Sequence, residues 1–97
     1  MSEQAAIVVT HHPEAGRFEA VVDGRRCEAD YRLVGTVMHL VHTGVPAALQ
    51  GRGLAAVLVH AALAHARAQG WQVRPVCSYV RTYMRRHPDT QDLLEKA

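Results

Sequence analysis

Acidic residues are missing from the middle of this chain. Between Asp30 and Asp89 there is none, while the same stretch carries Arg32, Arg52, Arg67, Arg74, Arg81, Arg85 and Arg86. The formal net charge of +2 over 97 residues therefore conceals a basic centre between mildly acidic ends. Such a field attracts anions, and arginine's planar fork suits phosphate. The plainer alternative is a set of arginines that solvate helix faces. Aromatic residues are scarce, at 5%. That scarcity argues against a nucleic-acid-binding domain, because base stacking needs aromatics interleaved with the basic residues.

Cysteine is nearly absent too. Cys27 and Cys77 stand too far apart for metal-ligand spacing and suggest no disulfide framework. His11 and His12 have no third histidine, cysteine or aspartate at a useful spacing, so no metal site is expected. No apolar run approaches the roughly 20 residues that cross a membrane. The start, Met1-Ser2-Glu3-Gln4, lacks the basic and apolar regions of a signal peptide. These absences point to a reduced, cytoplasmic setting and no membrane partner. Lys96 is the sole lysine among the basic residues, a bias that suggests a GC-rich bacterial genome. The length fits one small domain over residues 1–97, with a single core.

The elements read in order as four antiparallel strands, a helix, a strand and a helix, an α+β arrangement. Ala6 to Thr10 is a β-branched run, and His11 to Gly16 is rich in turn formers. Arg17 to Val22 and Cys27 to Val34 are strands joined by Asp23-Gly24, a strong hairpin signal. Strict alternation puts Cys27, Ala29, Tyr31 and Leu33 on one face. In the fourth strand, Thr36 to Thr43, it puts Val37, His39, Val41 and Thr43 on one side and Met38, Leu40 and His42 on the other. A helix from about Gly53 to Gln69 presents Leu54, Leu58, Ala61, Ala62 and His65 as its stripe, and Gly70 caps it. Trp71 to Val76 is a fifth strand and Ser78 to His87 a short helix that Pro88 stops. Asp89 to Lys96 forms a last turn.

At the junction of the fourth strand and the long helix stands Gln50-Gly51-Arg52-Gly53-Leu54-Ala55, a Q-x-x-G-x-A run. A strand that ends in a glycine loop and opens into a helix directs several backbone N–H groups outward at the positive end of the helix dipole. Such a junction can hold a phosphate or pyrophosphate, or it can be no more than a helix start after a turn. Its place within the acid-free stretch favours the anion.

His42-Thr43-Gly44-Val45-Pro46, the Gln50 to Ala55 run, Pro75-Val76-Cys77-Ser78-Tyr79-Val80 and Arg86-His87-Pro88 together resemble the small, single-domain branch of the GNAT (GCN5-related) N-acetyltransferases. The likeness extends from about Ile7 to Leu94, and its specific part lies in 40–88. The resemblance implies a mixed sheet that splays between its fourth and fifth strands to admit acetyl-CoA. It implies that Gln50, Gly51, Arg52, Gly53, Leu54 and Ala55 hold the pyrophosphate, and that Val45 extends the pantetheine arm by strand-like hydrogen bonds. It further implies an acyltransferase acting as a monomer or weak dimer on a small-molecule or protein amine. Tyr79 and Tyr83, four apart on the short helix, are candidates to flank the coenzyme. Arg81, Arg85 and Arg86 are candidates for its 3′-phosphate or adenine end.

Transfer of acetyl from a thioester to an amine requires that the amine lose a proton and the departing thiolate gain one. At position 44, where many members of the branch carry an acidic residue, this chain has Gly44. His42 is then the best remaining base, with His39 a weaker candidate; the plain alternative is a sheet histidine that makes one hydrogen bond. Cys77 follows the fifth strand and can protonate the thiolate, carry the acetyl group as a nucleophile, or simply pack as a small hydrophobe. Cys27 reads as packing, Trp71 as a lid on the core, and His60, His65 and His87 as surface or helix-end residues. With Gly44 in the acidic position, a module that binds acetyl-CoA without turning it over stays open beside the enzyme.

Overall fold

The computed structural model describes residues 7–96. Its strands are β1 (Thr10–His12), β2 (Arg17–Val22), β3 (Arg25–Val34), β4 (Val37–Gly44) and β5 (Gln72–Pro75). They lie side by side in chain order, the first four antiparallel and β5 parallel to β4. Helix α1 (Leu54–Gln69) makes the β4–β5 crossover, and α2 (Ser78–Arg86) follows β5. This is the GNAT-like α+β fold. Among the described residues no helix is long and apolar enough to cross a membrane.

Local chemistry accounts for these elements. The β2–β3 hairpin turns on Asp23-Gly24, both at positive φ (52° and 71°), which matches the twist of the flanking strands. Helix α1 opens after Gly53 at φ 75° and closes at Gly70, also at φ 75°, whose N–H bonds the carbonyls of Ala66 and Arg67. Its buried face comprises Leu54, Leu58, Val59, Ala62, Leu63 and Ala66. That face is broader than the expected stripe and displaced from it, because the helix lies across a wide sheet rather than along one seam. One buried cluster joins it to Phe18, Ala20, Cys27, Ala29, Tyr31, Met38 and Leu40 from the sheet and to Val80 and Met84 from α2. Cys27 is fully buried within it, as its packing role requires.

The first strand lies later than its β-branched run suggests. Ala6 falls outside the described residues, and pairing covers His11 with Phe18 and His12 with Arg17. The His11 ring stacks flat on Phe18 with centroids 4.1 Å apart. That contact draws the two histidines out of the expected turn and into the sheet. His65 is likewise no surface residue: it meets His11 edge-on at 4.5 Å and Trp71 at 5.3 Å. Beyond α2 the chain makes a 3-10 turn (Pro88–Leu93), after which Leu94 bridges Val73 and the Glu95 N–H bonds the Val73 carbonyl at 2.9 Å. The outer edge of β5 is thereby covered.

Two irregularities in β4 shape everything that follows. Tyr31 pairs with Leu40 but Asp30 pairs with His42, so Val41 is an extra residue, a β-bulge. Strict alternation fails there. Thr43 joins Met38 and Leu40 on the helix-facing side, opposite Ala29, while His42 turns to the open face opposite Asp30. Leu33 also departs from expectation, being 44% exposed at the far end of its strand. The second irregularity is the splay. β5 accompanies β4 only from Val37 to Leu40. The N–H groups of Val76 and Cys77 then both bond the Leu40 carbonyl, at 3.0 and 2.9 Å, and the chain leaves the sheet.

Candidate active site

The splay leaves the β5-facing edge of β4 from Val41 to Gly44 without a strand partner among the described residues. Apolar side chains border it: Val41, Val76 and Tyr79 are 37%, 45% and 38% exposed. An unpaired strand edge between apolar walls is suited to an extended, amide-bearing chain laid along it.

At one end of this gap the loop after β4 closes on itself. Leu49 buries its side chain, and the Gln50 amide donates to the Val45 carbonyl at 3.2 Å. Gly51 and Gly53 adopt φ 85° and 75°, and a Cβ on either would meet nothing within 4 Å. The backbone is thus bare and open on that side. No side chain caps α1, its first turn holds no acid, and its first intrahelical bond runs from the Val57 N–H to the Gly53 carbonyl. The N–H groups of Leu54, Ala55 and Ala56 therefore have no acceptor within the helix. The first two of these residues line a cavity of about 180 Å³, together with Val45, Leu49, Gln50, Gly51, Gly53 and Tyr79. Bare backbone donors at a helix N-terminus fit a pyrophosphate.

Arg52 is directed elsewhere. Its Nη1 donates to Asp23 Oδ2 at 2.9 Å, which ties the loop to the β2–β3 turn. Tyr83 also lies apart from the loop cavity. Its ring stacks on His87 at 3.9 Å and lines a separate groove of about 530 Å³ between α1 and the 3-10 turn. Arg81 donates to the Val76 carbonyl at 2.8 Å and Arg85 to Thr82 Oγ1 at 3.3 Å. Arg86 is exposed and lies close enough to Tyr79 for its charge to favour the phenolate, although burial, the larger effect, raises that hydroxyl's pKa.

Cys77 occupies the far wall of the gap as the residue before α2. Burial disfavours its thiolate, but hydrogen bonding outweighs burial and the net pKa falls below the ordinary 9.0. The contributors are the Val80 backbone, the Thr43 hydroxyl and the Tyr79 and Thr43 backbones. The thiol makes no formal cap bond, and Thr43 Oγ1 lies 3.8 Å from Sγ. Cys27 shows the opposite behaviour, its pKa raised by burial.

His42 lies on the other side of the sheet, and it is not alone. Glu28 of β3 pairs across the ladder with Gly44, and its Oε2 lies 3.2 Å from His42 Nε2. A Cβ on Gly44 would lie 3.0 Å from that nitrogen and 3.3 Å from that oxygen. A carboxylate thus stands beside position 44, supplied by the neighbouring strand. The acid-free stretch hid this, because Glu28 lies outside it in sequence. Counting back from the Val34–Val37 pair would place Glu28 opposite residue 43, and only the bulge at Val41 moves it to Gly44. His39 also sits on this open face but lies within the paired part of β4 and β5, away from the gap. Glu28, Asp30 and His42 cluster closely enough to resemble a metal-binding group. The two carboxylates already pair with cations, Glu28 with Arg26 and Asp30 with Arg17.

A splayed mixed sheet with a glycine loop at the head of its crossover helix is the GNAT-like α+β architecture. The comparisons agree. The family model of the GCN5-related N-acetyl-transferases matches residues 17–93, and the chain belongs to that family. The solution structure of a GCN5-like protein from Staphylococcus aureus superposes with a TM-score of 0.73 at 24% identity, covering 93% of this chain and 89% of the other.

Proposed function

We propose that this chain is an acetyl-CoA-dependent N-acetyltransferase that acts in the cytoplasm on an amine acceptor. The observation that carries the reading is the gap at the β4–β5 splay, with the open glycine loop at its end and a thiol of lowered pKa on its wall. Acetyl-CoA supplies an activated acetyl thioester.

The chain's residues divide the work. Backbone N–H groups of Leu54 and Ala55 take the pyrophosphate, and the free edge of β4 with Val45 aligns the pantetheine arm. The Val45 carbonyl accepts from the Gln50 amide and keeps a second lone pair for the arm. Tyr79 covers the chain from α2. On the open face His42 receives a proton from the incoming amine. On the helix-facing side Cys77, held by Thr43, delivers a proton to the departing sulfur. Because successive residues of a strand face opposite ways, His42 and Thr43 assign proton removal and proton delivery to opposite sides of the transfer plane.

The test is isothermal calorimetry with acetyl-CoA, followed by mass analysis of an amine incubated with both. Binding together with amide formation supports the enzyme. Binding without amide supports the non-catalytic module, and absence of binding removes both.

A further inference from the structure

We propose that Glu28, reaching across from β3, is the acceptor-binding carboxylate of this site, and that with His42 it selects alkylammonium acceptors. This deepens the reading above and rests on it. Three observations carry it. Glu28 pairs with Gly44 at the last rung of β4, where the strand leaves the sheet for the loop. Gly44 has no side chain, and a Cβ there would press on both His42 Nε2 and Glu28 Oε2, so the missing side chain is what leaves room for the pair. An open hollow of about 530 Å³ is lined by Arg26, Glu28, Gly44, Val45 and Pro46, which brings Glu28 and the residue assigned to the coenzyme arm to one cavity.

The charges around the pair define what it accepts. Glu28 Oε1 faces Arg26 Nε at 3.3 Å, and Oε2 faces His42. Asp30, opposite His42, is held by Arg17 at 2.8 Å. Each carboxylate therefore has an arginine on one side, and the side of Glu28 toward Gly44 is left to the imidazole and the hollow. A protonated alkylamine fits there because it brings a positive charge and a proton that must be removed. An arylamine is neutral at pH 7 and needs neither service.

The protons balance. An alkylammonium gives its first proton to the Glu28–His42 pair, which later releases it to solvent. The nitrogen then forms the C–N bond as the C–S bond breaks. Its second proton replaces the one Cys77 has given to the departing sulfur.

The experiment compares wild type, Glu28→Gln and the relocated carboxylate Glu28→Ala/Gly44→Glu. It uses a lysine-containing peptide, a free diamine and an aniline as acceptors, and measures acetyl-CoA affinity by calorimetry. Glu28→Gln should lower kcat/KM by roughly 10²-fold on both alkyl acceptors, with little change on the aniline and unchanged acetyl-CoA affinity. The relocated carboxylate should restore at least a tenfold part of the loss. The ratio of peptide to diamine rates in wild type tells which source of alkylammonium the hollow favours. Full activity of Glu28→Gln on the alkyl acceptors, or an equal fall on all three, would overturn the assignment while the enzyme stands. Wild type that binds acetyl-CoA yet acetylates none of them would remove the function and the assignment together.

Discussion

The Thr43 hydroxyl stands 3.8 Å from the Cys77 sulfur and links the two walls of the gap between β4 and the segment after β5. Thr43 faces Cys77 only because the extra residue at Val41 turns it to the helix side of the sheet. The same bulge turns His42 away to Glu28. One inserted residue thus sorts two groups onto opposite faces, Cys77 with Thr43 and His42 with Glu28.

Alkylation reports on the first of these groups. Cys77 has its pKa lowered by hydrogen bonding that exceeds the opposing effect of burial, while Cys27 is buried and shifted upward. Iodoacetamide should modify Cys77 alone in the folded protein, with a rate midpoint below pH 9.0. Thr43→Val should move that midpoint up. Equal labelling of both cysteines, or a midpoint indifferent to Thr43→Val, would contradict the contact.

The role of Cys77 is separable by mass. As proton donor it should show no acetyl adduct when incubated with acetyl-CoA and no amine, and Cys77→Ala should slow turnover by roughly 10²-fold. A stable adduct on Cys77, lost in Cys77→Ser, would make it the nucleophile instead.

Gly53→Asp should weaken acetyl-CoA binding at least tenfold, because it places a side chain and a negative charge where the backbone is now bare. Gly53→Asn controls for backbone strain at φ 75°, since asparagine tolerates the left-handed region and carries no charge. Equal affinity in the aspartate variant would take the loop out of the site.

Stability should depend on His11. Burial lowers its pKa from 6.5, with His65 and His12 adding to the effect and Glu14 opposing it, while Tyr31 Oη hydrogen-bonds Nε2 at 2.6 Å. The unfolded chain therefore takes up this proton first. Its contribution is fully present above the unfolded value of about 6.5 and declines as pH falls through the folded value. Urea midpoints should drop more steeply below that pH in the native chain than in His11→Gln. Parallel curves would place His11 outside this balance.

Among the glycines of the described residues, Gly16 should tolerate alanine least. At φ 63° its Cβ would run into the Tyr31 carbonyl oxygen, a backbone atom rather than the end of a flexible side chain. A loss of about 3 kcal/mol or more is expected by denaturant unfolding.

The order of elements was legible because each carries a local signal: Asp23-Gly24 for the hairpin, Gly70 for the helix end, Pro88 for the stop. The loop cavity was legible for the same reason, since its lining falls within 49–55 apart from Val45 and Tyr79. What escaped is non-local. A bulge has no reliable signature in Val37 to Gly44, yet it sets which face His42 and Thr43 occupy. The Glu28–Gly44 rung depends on that bulge. The salt bridge of Arg52 to Asp23 joins two turns far apart in the chain, and nothing near Arg52 signals it. β1 takes in His11 and His12 because the His11 ring stacks on Phe18, while the turn tendency is realised just beyond, in the 3-10 turn Pro13–Ala15.

If the gap beside Cys77 and the glycine loop delivers an acetyl group to an amine, thiol release and amide formation are coupled. The most direct measurement follows released CoA thiol and the acetylated amine together, in one reaction of the purified protein with acetyl-CoA and an alkyl diamine. Thiol and amide should appear in equal amounts, at a rate that falls roughly 10²-fold in Cys77→Ala. Thiol released without amide, or amide formed at the same rate by the Cys77→Ala variant, would contradict the account.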